Sequence, residues 1–508
     1  MPEQFHRSLR PVLERGETHC LKIDTPDLVH TTHELVDHLE RACPGGKPAL
    51  YVVREDRLSE YDWQRGDWNP PQQLPLERSL EVVENSRAAF CVFVFWNIER
   101  LLDDREGQPS VRNFIPQLML SPRAVKKLLV FLEPLGTRYP SVVAPYLLSA
   151  TVPYPSKDEL RPLVRRQPAR FGVDIAGREE DLVGALLGLT YSTAQETLHV
   201  CLCELAGCGP EGLDALIGRL NREKERILAE TLGMTILRPG EDAVPYGLDY
   251  LLEDFAVHRH LICTEGQRRE KGWLLIGPPG TGKTMVAGYL AAQLGYPAIS
   301  FQISSVMNSL VGQTEKNMYA MCRILETFAP CVLYIDEFEK ALSTGGELDG
   351  GTMMRAMGIL FSFLNDTGAP LFVLGSANNL DPQHGLALTR KGRFSQLYWV
   401  DLPCCRARHD IARSAFARHG AAVPEDLVAP LAEQSAGFSG ADLAWLCRET
   451  LVRARYHGYP PESEDFGGLI DRLVAENRAR VEIMRAQYDP LRRWGKAYCR
   501  PAGPPPEE

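Results

Sequence analysis

The sequence predicts an α/β protein in which parallel sheets are flanked by helices. Short apolar runs alternate with helix-period segments over residues 1–170, and the same alternation returns from about 240 to 400. Between these regions, residues 177–230 repeat leucines at helical spacing. A glycine-rich loop at residues 277–284 lies between an apolar run and a helical segment, which is the context of a phosphate-binding strand–loop–helix unit.

The glycine-rich loop reads Gly-Pro-Pro-Gly-Thr-Gly-Lys-Thr. Its glycines allow a tight turn that aims successive backbone N–H groups at one anion, and the following helix adds positive charge at its N-terminus. Lys283 supplies a full charge, and the Thr284 hydroxyl can ligate Mg²⁺. This Walker A pattern predicts a nucleotide site formed by Gly277, Pro278, Pro279, Gly280, Thr281, Gly282, Lys283, Thr284 and Met285.

Polar residues follow two further apolar runs. Asp336 and Glu337 come directly after the run at 331–335, and Asn378 follows the run at 371–375. The carboxyl ends of parallel strands meet at one edge of a sheet, where ligands bind. We therefore expect Asp336 to hold Mg²⁺ through water, Glu337 to act as the general base, and Asn378 to contact the γ-phosphate or align the attacking water. The expected cofactors are ATP and Mg²⁺.

The composition limits the partners. A chain of 508 residues has room for about three domains, and its net charge of −10 disfavours nucleic acid and anionic membranes as partners. No apolar stretch reaches the roughly 18 residues of a membrane span, and the N-terminus lacks the apolar core of a signal peptide, so we expect a cytoplasmic protein. The 13 cysteines are scattered, which predicts thiols rather than a disulfide framework.

Further motifs accompany the Walker A and Walker B (Asp336-Glu337) residues. Asn378 matches a sensor 1 position, and residues 390–394 read Arg-Lys-Gly-Arg-Phe. Gly247-Leu248-Asp249 precedes the loop, and residues 437–443 read Gly-Phe-Ser-Gly-Ala-Asp-Leu. In this order and spacing, over about 240–455, the motifs resemble the classical AAA clade of the AAA+ ATPases.

The resemblance implies a P-loop NTPase core with a helical lid, and a homo-oligomer that is usually hexameric. ATP would then lie between subunits, with Gly247 near the nucleotide. Arg390 and Arg393 match the positions of arginine fingers that reach the neighbour's γ-phosphate. The candidate pore loop is Leu310, Val311 and Gly312, with a leucine where peptide-threading relatives carry an aromatic residue. Leucine buries less area than a ring, so we expect weaker grip on a threaded chain.

The N-terminal half looks like a degenerate copy of the same module. The segment 90–100 falls where a second Walker B would stand but lacks the Asp-Glu pair. The nearest approach to a phosphate loop, Pro44-Gly45-Gly46-Lys47, is too short and lacks the Ser/Thr. This arrangement resembles the AAA ATPases that plastids and cyanobacteria encode as a conserved open reading frame. We expect a degenerate AAA-like domain at 1–170, a lid-like helical segment at 171–235, the AAA+ core at 236–401, a lid and C-terminal helices at 402–490, and a disordered tail at 491–508.

Two functions compete. The first is an ATPase that remodels a protein partner, whose identity the sequence does not reveal. The second is an ATP-gated scaffold or switch with slow turnover and no threading. A membrane-anchored AAA protease is disfavoured because the sequence has no His-Glu-x-x-His motif.

Overall fold

A computed structural model of the chain divides it into two compact units. The first comprises Met1–Ile227 and Glu315–Thr327, and the second comprises Leu228–Thr314 and Phe328–Glu508. The described residues are 19–43, 46–54, 56–86, 88–102, 113–116, 126–175, 177–205, 211–237, 244–263, 270–302, 313–343, 352–379 and 394–506.

The first unit contains one sheet with the strand order β4-β3-β2-β6-β7-β1-β8, and β5 pairs with β3. The neighbours β2, β6, β7, β1 and β8 are parallel, whereas β3 is antiparallel to β2. The strands are β1 His19–Asp24, β2 Ala49–Arg54, β3 Arg57–Asp62, β4 Asp67–Trp68, β5 Gln72–Gln73, β6 Phe90–Trp96, β7 Lys126–Glu133 and β8 Leu147–Thr151. The α-helices are α1 Leu28–Ala42, α2 Leu76–Asn85, α3 Glu99–Leu102, α4 Lys157–Arg170, α5 Glu179–Leu186, α6 Tyr191–Leu205 and α7 Glu211–Leu232.

The sequence of β6 explains its central place in that sheet. Its apolar run is buried on both faces, as expected for a parallel strand covered by helices on each side. Phe93 and Phe95 pack into one core cluster, whereas Val92 and Val94 pack into the other. A charged side chain on either face would therefore enter a core.

The second unit contains a sheet with the order β15-β14-β10-β13-β12-β11-β9. Among the described strands of this sheet, β9 alone is antiparallel to its neighbour. The strands are β9 Met234–Leu237, β10 Gly272–Ile276, β11 Ala298–Gln302, β12 Cys331–Asp336, β13 Leu371–Ala377, β14 Gln396–Trp399 and β15 Arg500–Pro501. The helices of the second unit are α8 Asp249–Ile262, α9 Lys283–Leu294, α11 Phe338–Ser343, α12 Thr352–Asp366, α13 Cys405–Arg418, α14 Glu425–Gln434, α15 Gly440–His457 and α16 Glu464–Tyr498. The remaining helix, α10 Gln313–Phe328, belongs to the first unit except for its terminal residues.

The two sheets share one topology. In the second unit, the parallel strands β10 to β14 lie in the order β14-β10-β13-β12-β11. In the first unit, the corresponding strands β1, β2, β6, β7 and β8 lie in the order β8-β1-β7-β6-β2. Numbered along the chain, both orders place the fifth strand beside the first and the first beside the fourth. The predicted α/β class with parallel sheets is confirmed.

The tail was predicted wrongly. Residues 491–508 were expected to be disordered, but α16 continues to Tyr498 and β15 then pairs with β14. The Ala502 N–H donates to Trp399 O at 2.9 Å, and Ala502 is fully buried. Its prolines are compatible with an edge strand because the proline at position 501 has no N–H to leave unpaired. Among the described residues, no helix is both long and apolar enough to cross a membrane.

Candidate functional site

The glycine-rich loop connects β10 to α9, as the sequence predicted. Gly282 is the N-cap of α9 and has a φ of 90°, a left-handed conformation that glycine adopts without strain. Lys283 and Thr284 are consequently the first residues of the helix, at its positive end.

Lys283 is buried inside this loop. Its Nζ donates to the carbonyl oxygens of Gly277 at 2.9 Å and Pro278 at 2.6 Å. Burial lowers the pKa of Lys283 to about 8, although the Glu339 and Asp336 carboxylates favour the protonated form. An anion bound to the loop would give this ammonium group a stronger partner than two neutral carbonyls.

A hydrogen-bond network joins the loop to the end of β12. The Tyr334 hydroxyl lies 2.9 Å from Thr284 Oγ1 and donates to Asp336 Oδ1 at 3.1 Å. Ser376, near the end of β13, donates its hydroxyl to the same Asp336 oxygen at 2.5 Å. Thr284 and Asp336 therefore share the Tyr334 hydroxyl as a neighbour. A hydroxyl and a carboxylate are the oxygen ligands that Mg²⁺ prefers, so the donor set fits this ion.

Glu337 follows β12 in an unusual conformation. Its φ is 52°, which is rare for a residue with a side chain and costs about 1–3 kcal/mol. The backbone N–H of Glu337 donates to Asp336 Oδ1 at 3.0 Å, and its carboxylate accepts from Lys340 Nζ at 2.5 Å. The strained backbone turns the chain at the strand end, and the side chain is held by a half-exposed ion pair.

A cavity of about 410 Å³ lies against the loop. Its walls bring together most of the predicted site residues, namely Pro279, Gly280, Thr281, Gly282, Lys283, Thr284, Met285, Asp336 and Asn378. Gly277, Pro278, Gly247 and Glu337 are not among its lining residues, although Tyr246 and Leu248 on either side of Gly247 are. The small Gly440 and Ala441 at the start of α15 also line it.

The sequence reasoning overlooked four residues. Tyr334 lies within the apolar run at 331–335, and Ser376 directly follows the run at 371–375. Glu339 accepts the backbone N–H of Asn378, and burial raises the pKa of its carboxyl. Arg418 ends α13 and lines the cavity. The one signal in the sequence for any of these residues was the hydroxyl of Tyr334, which lies two residues before Asp336.

Five predicted residues lie outside the described part of the chain. They are the candidate arginine fingers Arg390 and Arg393 and the candidate pore-loop residues Leu310, Val311 and Gly312.

The first unit has a different connection at the corresponding place. Its first strand and first helix are joined by residues 25–27, which contain no glycine, and Pro44-Gly45-Gly46-Lys47 follows that helix in the sequence. The Asp27 carboxylate caps α1 by accepting from the His30 N–H at 2.9 Å. It also accepts from the Ser192 N–H at 2.8 Å and the Ser192 hydroxyl at 3.0 Å. A side-chain anion of the protein therefore occupies the positive end of α1.

The end of β6 repeats the backbone of β12 with other side chains. Asn97 has a φ of 53°, close to the 52° of Glu337, and both residues directly follow their strands. Trp96 stands where β12 has Asp336, and its indole N–H donates to Thr32 Oγ1 at 3.1 Å. The Arg54 guanidinium lies 3.8 Å from the Trp96 ring centroid. The end of β6 thus has the backbone conformation found at the end of β12, but it lacks the two carboxylates.

Comparisons with known proteins agree with the motifs. The family model described as ATPase family associated with various cellular activities (AAA) matches residues 273–402. An uncharacterized AAA domain-containing protein ycf46 from Trieres chinensis is 32% identical over 56% of this chain and 57% of its own length. The protein of the same name from Guillardia theta is 27% identical over 51% and 52%, respectively.

A third relative carries a different name. The chloroplastic ATP-dependent zinc metalloprotease FTSH 2 from Oryza sativa subsp. japonica is 33% identical over 41% of this chain and 32% of its own length. The chain spans about half the length of these two ycf46 relatives. The predicted resemblance to plastid-type AAA ATPases is confirmed.

Proposed function

We propose that this chain, which matches the AAA family model at residues 273–402, binds and hydrolyses MgATP. The observation that carries the proposal is a single cavity lined by the glycine-rich loop, Asp336 and Asn378. Three separate strand ends contribute to it, as ligand sites of parallel sheets require.

The proposed roles follow from the contacts. Backbone N–H groups of the loop and the Lys283 ammonium hold the phosphates, because the loop leads into a helix N-terminus and Lys283 adds a buried cation. Thr284 and Asp336 hold Mg²⁺, which neutralises phosphate charge when bound. Glu337 orients and deprotonates the attacking water, and Asn378 aligns it. Glu337 must leave its ion pair with Lys340 to do so.

At the level of the assembly, we propose a homo-oligomer, hexameric by resemblance, that remodels a protein partner. Arg390 and Arg393 would complete the neighbouring subunit's site, which makes hydrolysis depend on assembly. The support is the Arg-Lys-Gly-Arg-Phe motif at 390–394.

An ATP-gated scaffold or switch is the second candidate. The ion pair between Lys340 and Glu337 favours it, since a base engaged elsewhere predicts slow turnover. Leu310 at the candidate pore position also favours the scaffold or switch, because a leucine is expected to grip a threaded chain weakly. Addition of a substrate protein would accelerate hydrolysis by a remodeller, whereas a switch would respond mainly in nucleotide affinity.

We further propose that the first unit is a degenerate AAA-like module that binds no nucleotide. The strand order that the first unit shares with the second supports the AAA-like assignment. The Asp27 carboxylate at the start of α1 disfavours phosphate binding there, because the two negative charges repel each other. Each copy of this chain should therefore bind one nucleotide.

Isothermal titration of ADP into the Lys283→Ala variant tests the proposal. Lys283→Ala should abolish ADP binding, because it removes the buried cation of the proposed site. Lys496→Ala, which removes an exposed lysine of α16, serves as the matched control and should bind like wild type. Wild-type affinity in Lys283→Ala would reject the proposed site, and residual micromolar binding would place a second site elsewhere.

A further inference from the structure

In the part of the chain that the structure describes, the outer edge of β8 carries no further strand. β8 lies at the end of the first unit's sheet and pairs with β1 on its inner side. The Val152 N–H donates to Asp24 O at 2.8 Å, so the alternate residues before Val152 also direct their backbone groups towards β1. The backbone N–H and C=O groups of Ser149 and Thr151 therefore point away from the sheet, and both residues are exposed. An unpaired edge of this kind is a template for another extended chain.

The corresponding edge in the second unit is covered. β14 has the place there that β8 has in the first unit, and its inner side is marked by an equivalent bond from the Val400 N–H to Ile276 O at 2.8 Å. On its outer side, β15 runs parallel to β14, and the Ala502 N–H donates to Trp399 O at 2.9 Å. Trp399 directly precedes Val400, and Thr151 holds the same position in β8. The carbonyl of Thr151 therefore corresponds to one that holds an added strand.

The chain after β15 shows where an added strand leads. A Cβ on Gly503 would lie 1.9 Å from Gly247 O, so the two backbones are in close contact. A Cβ on Gly247 would in turn lie 2.7 Å from the Cβ of Ala407. Ala407 is the third residue of α13, and Glu159 is the third residue of α4, the helix that follows β8. A parallel strand on β8 would by the same path bring its next residues close to Glu159.

A cavity of about 340 Å³ lies at that place in the first unit, and we call it the acidic cavity. Its walls include the carboxylates of Asp27, Glu34, Asp158 and Glu159. Among the described residues that line it, none is a lysine or an arginine. Burial lowers the pKa of His30, which also lines it, so this ring adds no charge near neutral pH.

The neighbouring groups leave the acidic cavity negatively charged. The Ser156 N–H and hydroxyl both donate to the Glu159 carboxylate at 2.9 Å, but they bring no positive charge. Arg161 pairs with Asp158, yet it also pairs with Glu180 at 2.7 Å. One guanidinium shared in this way cannot neutralise four carboxylates, so a ligand of this cavity must be basic.

We propose that β8 is a docking site for an extended segment of a partner protein, which adds as a parallel strand and places a basic side chain in the acidic cavity. The backbone groups of Ser149 and Thr151 pair with the segment, and Leu148, which is 51% exposed, contacts one of its apolar side chains. The lysine or arginine that follows the strand then enters the cavity. The β8 edge of a second copy would not supply this charge, because residues 147–156 contain no lysine or arginine.

Fluorescence anisotropy of a labelled hexapeptide, Thr-Val-Thr-Val-Lys-Arg, titrated with the full chain tests the docking. A dissociation constant below about 1 mM is expected. A probe that ends in Glu-Glu instead of Lys-Arg should bind at least about tenfold more weakly, because the cavity repels its charges. A probe methylated on all four amide nitrogens of its Thr-Val-Thr-Val part should not bind, because it cannot donate hydrogen bonds to the edge.

Matched variants locate the site. Ser149→Pro removes an outward N–H of β8 and should weaken binding about tenfold, whereas Ser149→Ala keeps this N–H and should bind like wild type. Glu34→Gln removes one charge of the acidic cavity and should weaken binding about three- to fivefold. Asp37→Asn changes an exposed carboxylate of the same helix that does not line the cavity, and it should have no effect.

Equal binding of the amide-methylated probe would overturn strand addition, and this comparison uses the wild-type chain, so it holds even if Ser149→Pro does not fold. Equal binding of the acidic probe, or no binding of the basic probe at about 1 mM, would also overturn the proposal. Self-association of the chain that Ser149→Pro abolishes would assign the edge to a second copy instead. The docking does not rest on nucleotide binding, so Lys283→Ala should bind the probe like wild type, and failures of the two sites are distinguishable.

Discussion

The hydroxyl oxygen of Tyr334 lies 2.9 Å from Oγ1 of Thr284, and this contact ties β12 to the first turn of α9. Because the same hydroxyl donates to Asp336, the two proposed Mg²⁺ ligands are linked through a single side chain. Tyr334 is mostly buried, so the link is shielded from water. We interpret Tyr334 as a positioning residue for the ion.

Removal of this hydroxyl should weaken the metal site selectively. In the Glu337→Gln background, Tyr334→Phe should raise the Mg²⁺ concentration needed for half-maximal ATP binding by a few-fold to about tenfold. A change of this size is expected from the loss of one hydrogen bond. ATP binding without Mg²⁺ should not change. Tyr289→Phe, in α9, is the matched control. A uniform loss of ATP affinity with and without Mg²⁺ would indicate a structural role instead.

Nucleotide affinity should fall at alkaline pH. Burial lowers the pKa of Lys283 to about 8, and a bound phosphate favours the protonated ammonium. Below pH 8 the lysine is already charged and ADP affinity should be level. Above pH 8 the free protein loses the proton, so affinity should decrease by up to tenfold per pH unit. A Lys283→Arg variant that still binds should lack this decline, and an unchanged decline would assign it to another group.

The first unit should lose stability as the pH rises from about 4.5 to 7. Burial is the main cause that raises the pKa of Glu133 from 4.5 to about 7, and the nearby Glu99 carboxylate adds to the rise. Hydrogen bonds from the Tyr139 hydroxyl at 2.7 Å and the Ile98 N–H at 3.0 Å oppose it. The folded state therefore keeps a proton that the unfolded state releases. Stability is fully present below pH 4.5 and falls through pH 7, by about 1–3 kcal/mol.

Urea unfolding of the full chain at several pH values measures this effect. Glu133→Gln should flatten the dependence between pH 4.5 and 7, whereas Glu77→Gln, an exposed residue of α2, should leave it intact. A Glu133→Gln profile parallel to wild type would show that another carboxyl is responsible.

The strand ends were predictable from the sequence because short motifs carry their own local geometry. The positions of residues 277–284 and of Asp336 could be predicted because each directly follows an apolar run that forms a strand. The Asp27–Ser192 contact was not predictable, since it joins residues far apart in the chain and replaces a motif by a single carboxylate. The ordered tail was missed because prolines are compatible with disorder and with an edge strand alike.

Hydrolysis should require a neighbouring subunit. Arg390→Ala and Arg393→Ala should bind ATP normally, yet lose about 10³–10⁵ in rate if each acts as a finger. Mixing either variant with Lys283→Ala should restore part of the activity, because an intact loop can then meet an intact finger. Both arginines lie outside the described residues, and the prediction rests on the sequence motif. Full activity of a wild-type monomer, independent of dilution, would contradict a shared site.

The most direct test of ATP hydrolysis at this site measures binding and turnover of radiolabelled MgATP in the Glu337→Gln variant. We predict near-wild-type binding and turnover slowed by about 10²–10⁴, because the carboxylate that activates water is gone and the phosphate loop is intact. Glu253→Gln, which alters an exposed glutamate of α8, should match wild type in both measurements. Hydrolysis by Glu337→Gln at the wild-type rate, or no hydrolysis by the wild-type protein under assembling conditions, would contradict the account.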